Sequence, residues 1–528
     1  MASPSWRAVA RASLRALSVP RAADAVFAVV VGGVSLFAAA LYWIPACLAL
    51  QDYTQFLVFA RVVRDLGDPS SPFQGNYALR PWYTPTSLPT QLTAALAGVM
   101  PGGVESAGRL MLSLHTVGLV AASLLLLREL GRPRWGVVLV LPLLCNQWVY
   151  GGFFAYATAI PLVVLGLALA LRWCRAPTRA NGVALAACLV ATLLWHGIAY
   201  VALGLGFACI WLVTRFPRWR DRLVSLVPAL PSLVLFVVWQ GSTFGRAAAG
   251  KEVVYLPFWK MVTLFGEAFV MAPAERASAF VWMLLGLVVL AHVLGDDAAR
   301  AGAAASPAGA GVEARSFRVH NPMLLVAGAY VAAYFALPIT MYDVQGLSNR
   351  FAFLAVLCLV FVWRLPGRRA PRAATIAAAV ALGLVVTVDM KDRLKALGDR
   401  TRGASELVDR LDRYDTLYYF APDQGTTPEL THATIELEQL ATIRKGGLPR
   451  SSFAGYGYTY VRWVVPGHDP MPPILGAPTA SPDMMRFDYA LTGPGEAAPS
   501  LSAFRLVATS HGWSLYGVCG SHRFPQCG

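Results

Sequence analysis

Charge is what this chain has least of. Only 14% of its 528 residues are charged, where a soluble globular chain carries about 25%. Acids are the scarcer sign, 29 against 44 bases. Hydrophobic residues make up 56% instead. That balance excludes a disordered chain, a disulfide-rich miniprotein and an ordinary soluble enzyme, and it fits a polytopic membrane protein. Nucleotide and hydrolase signatures are also missing: there is no Walker loop, no nucleophile elbow and no HExxH. His432, His468, His511 and His522 keep no metal-ligand spacing. No internal repeat is visible.

The net charge of +15 would suit a nucleic-acid partner if it gathered on one face. It does not. From Asp392 to Gly528 there are 13 bases and 14 acids, so the excess lies upstream, in short Arg clusters between apolar runs. That is the positive-inside pattern, and no nucleic-acid partner is expected.

Eleven apolar runs read as spans: roughly 25–50, 106–128, 135–150, 153–171, 181–196, 198–214, 223–240, 277–295, 322–339, 349–364 and 374–390. The N-terminus and alternate loops hold 21 bases against five acids, which sets that side as cytoplasmic. An odd number of spans then puts the C-terminus outside. The expected fold is an all-α polytopic membrane bundle of about eleven transmembrane helices plus juxtamembrane helices, with a small C-terminal α+β extracytoplasmic domain. Its parts are a cytoplasmic N-terminus (1–23), a transmembrane region (24–391) with an outer loop at 51–105, and a soluble outer domain (392–528). The expected location is the cell inner (cytoplasmic) membrane.

Three stretches are too short to cross. Residues 87–100 and 257–270 read as interfacial or re-entrant helices. Residues 52–66 carry Phe56, Phe59, Val63 and Leu66 at helical spacing opposite Gln55, Arg61, Arg64 and Asp65. That is an amphipathic helix lying on the outer surface. Residues 298–312 are Ala/Gly-rich and read as a cytoplasmic linker. In the tail, 405–413 reads as helix, and Thr416–Phe420, Tyr456–Val465 and Phe504–Val507 read as strands.

The outer loop is the most informative part. It opens on Gln51-Asp52-Tyr53 and continues through Arg80-Pro81-Trp82-Tyr83 and Pro85-Thr86-Ser87-Leu88-Pro89. It closes on Gly103-Val104-Glu105-Ser106-Ala107-Gly108-Arg109. Further on come Asn146-Gln147-Trp148-Val149-Tyr150 and Ser348-Asn349-Arg350-Phe351. This order resembles the GT-C-type membrane glycosyltransferases, in particular the branch that takes sugars from polyprenyl-phosphate donors. Those enzymes place an acid just after the first span, then two juxtamembrane helices, then a G-x-S/E-x-x-x-R opening of the second span. The resemblance covers about 50–365. It departs at Asp52-Tyr53, where the family often has two consecutive acids, and at Thr86-Ser87-Leu88-Pro89, where it has a His-Pro-Pro turn. It implies a hexosyl- or pentosyltransferase, a polyprenyl-phosphate-linked sugar as donor, and an envelope acceptor (lipid, glycan or protein) among membrane lipids.

Moving a sugar from a lipid phosphate to a hydroxyl needs a base for that hydroxyl. Asp52, at the membrane boundary and partly desolvated, suits the role. The alternative is an acid that merely starts a helix. Outer-side cations for the leaving phosphate are Arg350, Arg80, Arg246, Lys251 and Lys260. Arg350 opens an apolar span, where it either binds the phosphate or snorkels to headgroups. His196 is a candidate for acceptor or metal contact, or simply bonds a neighbouring helix. A divalent cation is the one cofactor left open, with Asp52 and Asp65 or Asp68 as its acids. Cys519 and Cys527 sit in the outer tail, where an oxidising compartment allows a disulfide; two free thiols are the alternative. A lipid or solute transporter or flippase would want ionisable groups at mid-depth, where only His115 falls. A non-catalytic envelope scaffold would leave Asp52 dispensable.

Overall fold

The computed structural model describes residues 22–244, 253–267, 286, 321–341, 344–363, 365–366, 368–420, 437–449, 454, 459–464, 487–494 and 504–525. The chain is mostly helical, with a few small sheets, one of them made of the short strands β2 (Val253–Val254), β3 (Thr340–Met341) and β4 (Val344–Gln345). Among the described residues, five helices are long and apolar enough to cross a membrane: α1 (Ala23–Trp43), α4 (Gly103–Glu129), α6 (Phe154–Arg175), α9 (Trp219–Ser242) and α13 (Arg369–Asp409). Between them run shorter helices: α2 (Gln51–Asp65), α3 (Ser87–Ala97), α5 (Gln147–Tyr150), α7 (Arg179–Trp195), α8 (Gly197–Val213), α10 (Phe258–Glu267), α11 (Pro322–Ala336) and α12 (Leu347–Val362). The expected runs at 181–196, 198–214, 322–339 and 349–364 are therefore α7, α8, α11 and α12, all apolar and 15–17 residues long. The expected span at 277–295 and the linker at 298–312 lie outside the described residues.

Polar side chains tie the helices across their apolar faces, as water-free packing favours. Tyr42 of α1 meets the Thr116 hydroxyl of α4 at 3.1 Å, and the Trp43 indole N–H donates to Ser113 at 3.0 Å. Tyr330 of α11 donates to the Ala202 carbonyl of α8 at 2.8 Å.

The segment expected as a span at 135–150 is not one continuous α-helix. Residues Arg134–Leu143 form a 3₁₀ helix with Pro142 inside it. At about 2.0 Å per residue it covers roughly 20 Å, short of the ~30 Å hydrocarbon core. Its residues from Val137 to Leu143 are buried. The long α13 packs so close that a Cβ on Gly383 would lie 3.0 Å from Leu141. Proline removes a backbone donor and crowds the preceding turn, so this apolar run does not continue as an α-helix.

Helix α2 corrects a second expectation. It is not a surface helix: Tyr53, Leu57, Val58, Phe59, Ala60 and Val62 are all buried. Helix α14 (Gln439–Lys445), from the C-terminal region, lies against it. Its polar side bonds to protein: Arg61 pairs with Asp65 at 2.5 Å and donates to the Ile443 carbonyl at 3.1 Å.

Helix α13 runs past the boundary expected near Asp392, for 41 residues to Asp409, roughly 60 Å at 1.5 Å per residue. The C-terminal region packs onto its far end, where Trp513 donates to the Arg400 carbonyl at 2.8 Å. That region holds a four-stranded sheet of order β5-β7-β9-β8, from strands Leu417–Phe420, Tyr489–Thr492, Trp513–Val518 and Phe504–Ser510. Strands β5 and β7 are parallel, with Leu417 opposite Tyr489; the other pairs are antiparallel. The strand readings near 416–420 and 504–507 correspond to β5 and β8, while 405–413 is mostly the end of α13. Cys519 is disulfide-bonded and the other six described cysteines are in no disulfide; Cys527 lies outside the described residues.

The tail is also sewn to the outer loop. Strand β1 (Tyr77–Leu79) pairs antiparallel with β6 (Val461–Trp463), Tyr77 opposite Trp463. Arg444 of α14 forms a two-point ion pair with Glu105 at the start of α4, at 2.8 and 3.0 Å, and a third bond to Asp409 at 3.1 Å.

Candidate active site

Asp52 stands in the first turn of α2, after an extended Leu50 with no side-chain cap. Arg350 stands in the first turn of α12 and is 6% exposed. Gly346 begins α12 in the left-handed region, φ 62°, where a side chain would be strained, and a Cβ placed there would lie 3.7 Å from the Trp148 ring. Trp148 lies on α5, which Asn146 starts by accepting from the Trp148 and Val149 backbone N–H groups at 3.0 and 3.3 Å. Tyr156, in the first turn of α6, donates to the Arg350 carbonyl at 2.7 Å. His196 separates α7 from α8 and caps the latter, its Nδ1 accepting from the Ala199 N–H at 3.3 Å. An accepting Nδ1 leaves the ring proton on Nε2.

These residues meet. The Arg350 guanidinium lies 5.8, 5.5 and 5.4 Å from the rings of Trp148, Phe153 and Tyr156. Tyr156 and His196 touch edge to face at 5.4 Å. Asp52 and His196 both feel the Arg350 charge. Thus the N-termini of α2, α6 and α12 lie near one cation, with those of α5 and α8, whose first N–H groups Asn146 and His196 already take. Helix N-termini carry partial positive charge, so they favour an anion.

The Asp52 carboxyl is pushed up to about 7, chiefly by burial, with the Arg350 cation pulling the other way. A carboxylate that exchanges its proton near neutrality, beside a fixed cation, can take a proton from a hydroxyl while the cation faces developing negative charge.

The remaining expected site residues lie elsewhere. Arg80 belongs to the β1–β6 junction, where its N–H donates to the Tyr460 carbonyl at 2.8 Å and Arg462 is its charged neighbour. Asp68 bonds to Ser70 and, at 2.9 Å, to Arg413; Asp65 is held by Arg61 and Arg64. Helix α2 separates Asp65 from Asp52 by roughly 20 Å, so these acids do not converge on a cation. No cluster of three His, Cys, Asp or Glu occurs among the described residues. Lys260 is exposed on α10, over Trp259. Arg246 and Lys251 lie outside the described residues.

Sequence reading missed Tyr156 and Phe153, which sit in an apolar run like any core aromatic. Trp148 stood in a stretch that drew notice, but nothing local marks its contact with Arg350. No protein-family model matches the chain, and no curated protein matches it.

Proposed function

We propose that the chain is an integral-membrane glycosyltransferase of the GT-C type. It moves a sugar from a polyprenyl-phosphate donor to an envelope acceptor on the outer side of the cytoplasmic membrane. The observation that carries this reading is that Asp52, at the start of α2, feels the charge of Arg350, itself set among the Trp148, Phe153 and Tyr156 rings at the start of α12. In the proposed reaction the bond between the anomeric carbon and the donor phosphate oxygen breaks. A bond from that carbon to the acceptor oxygen forms. Asp52 takes the acceptor's hydroxyl proton, and Arg350 with the helix N-termini offsets the charge left on the lipid phosphate. The reading includes the eleven-span topology, with a cytoplasmic N-terminus and an outer tail. In it the 3₁₀ segment Arg134–Leu143 and α5 together make one crossing, and the run at 277–295 makes another.

The test is transfer of radiolabelled sugar from glycosylated polyprenyl phosphates in membranes that carry the protein. The expected result is a labelled lipid, glycan or protein that is absent without it. If none of the glucosyl, galactosyl, mannosyl or arabinosyl donors is consumed, a transporter or flippase becomes the better reading. His115, buried within α4, would then be the mid-depth ionisable group to examine.

A further inference from the structure

Asp52 and Arg350 stand on helices that pack in different places. Helix α2 lies against α3, α14, α4 and α6, whereas α12 lies chiefly against α11. What holds the cation in place beside the acid is therefore a question of what touches both, and the first turn of α6 does. Its Phe154 ring packs on Tyr53, the neighbour of Asp52, at 5.6 Å and on Phe56 at 5.8 Å. Tyr156 faces the other way, because two residues turn a helix by about 200°. Its hydroxyl donates to the Arg350 carbonyl at 2.7 Å, and its ring lies 5.4 Å from the Arg350 guanidinium. Phe154 and Tyr156 are both buried.

An arginine is a charged fork on a long flexible stem, and an anion that it binds must first order that stem. Fixing the stem beforehand removes the cost. Tyr156 fixes it at both ends. The hydroxyl holds the backbone from which the stem grows, and the ring faces the fork. The Trp148 and Phe153 rings face the fork too, at 5.8 and 5.5 Å, but Tyr156 is the one of the three whose hydroxyl also reaches Arg350. We infer that Tyr156 is a positioning residue that sets the Arg350 guanidinium for the lipid phosphate, tying it to the turn of α6 that also packs against the Asp52 end of α2. Its effect is exerted through Arg350. The inference rests on the glycosyltransferase reading and adds to it what aims the cation.

The experiment is a double-mutant cycle read by binding calorimetry on the full chain in detergent. The probes are a polyprenyl phosphate and the corresponding polyprenol, which has the tail without the anion. The variants are Tyr156→Phe, which keeps the ring and removes the hydroxyl, Arg350→Gln, and the two together. Thermal unfolding checks that each folds. Wild type should prefer the phosphate lipid. Tyr156→Phe should lower its affinity for that lipid about tenfold and leave the polyprenol unchanged. In the Arg350→Gln background the same change should cost nothing further, since the residue it acts through is gone. No loss in Tyr156→Phe, an equal loss for both lipids, or losses that multiply in the double variant make Tyr156 a packing residue and overturn the inference. Arg350→Gln alone must also weaken the phosphate lipid, and this holds whether or not Tyr156→Phe folds; if it does not, the inference falls. Equal wild-type affinity for the two lipids overturns it as well, while the enzyme reading is decided separately by sugar transfer in wild-type membranes.

Discussion

Replacing Asp52 with asparagine keeps the shape of the side chain and removes both its charge and its proton-accepting role. Two consequences follow, and they have opposite signs. Turnover should fall by about 10²–10⁴ if Asp52 is the base. Stability should rise, because the wild type carries a charge that burial disfavours. Its folded pKa of about 7 stands above the ordinary 3.8, so the folded state binds more protons than the unfolded state between those values. Wild-type stability is therefore intact below about pH 4, declines as pH rises, and levels off above about pH 7. The full difference corresponds to about 4 kcal/mol, at about 1.4 kcal/mol per pKa unit. Asp52 keeps some solvent access, so a gain of about 1–3 kcal/mol is expected in practice. Denaturation of wild type and Asp52→Asn should coincide at pH 4 and diverge at pH 8, the variant being the more stable. In the activity assay the wild-type rate should fall about tenfold per pH unit below 7. Equal stability at pH 8, together with a rate independent of pH from 5 to 8, would refute the reasoning at its root.

Other expectations are independent of that site chemistry. Truncating Glu105 or Arg444 to alanine should cost about 3 kcal/mol and expose the tail to protease; a double-mutant cycle should give a coupling of at least about 1 kcal/mol, and simple additivity would show the pair to be idle. A cysteine in place of Arg505, exposed on β8, should react with an impermeant reagent in intact cells, whereas labelling only after lysis would sink the proposed orientation. Peptide mapping without reductant should find Cys519 joined to Cys527; the closed loop is short, so its loss costs about 2–3 kcal/mol and should loosen the tail without unfolding the bundle.

Much of the helical frame was legible, and the reasons are local. Long apolar runs bounded by arginines mark α4, α6 and α13, and the shortness of 87–100 and 257–270 marks α3 and α10. Asp52 and Arg350 stood out because a charge at the mouth of an apolar run is conspicuous. The 3₁₀ geometry of Arg134–Leu143 was hidden because mean hydropathy does not register what Pro142 does to a backbone. The reach of α13 was hidden because the run turns polar at Asp389 without ceasing to be helical. The burial of α2 depended on a partner: its polar stripe suits headgroups and suits α14 equally well, and only the pairing of Arg61 with the Ile443 carbonyl decides between them. Strand β1, three residues long, has no local signal strong enough to announce a partner at Val461–Trp463.

The ion pair between Glu105 and Arg444 joins residues 339 apart, and that distance is also an interval of time. At about 5–20 residues per second, a ribosome that has just made Glu105 needs roughly 20–70 s more to reach Arg444. Throughout that interval α2 has no α14 to lie against and β1 has no β6. The flank of the newborn helix that α14 will cover stays without that protein partner until late in the making of the chain, and its amphipathic pattern suits lipid headgroups in the meantime. A chain ended short of Arg444 would lack that partner for good.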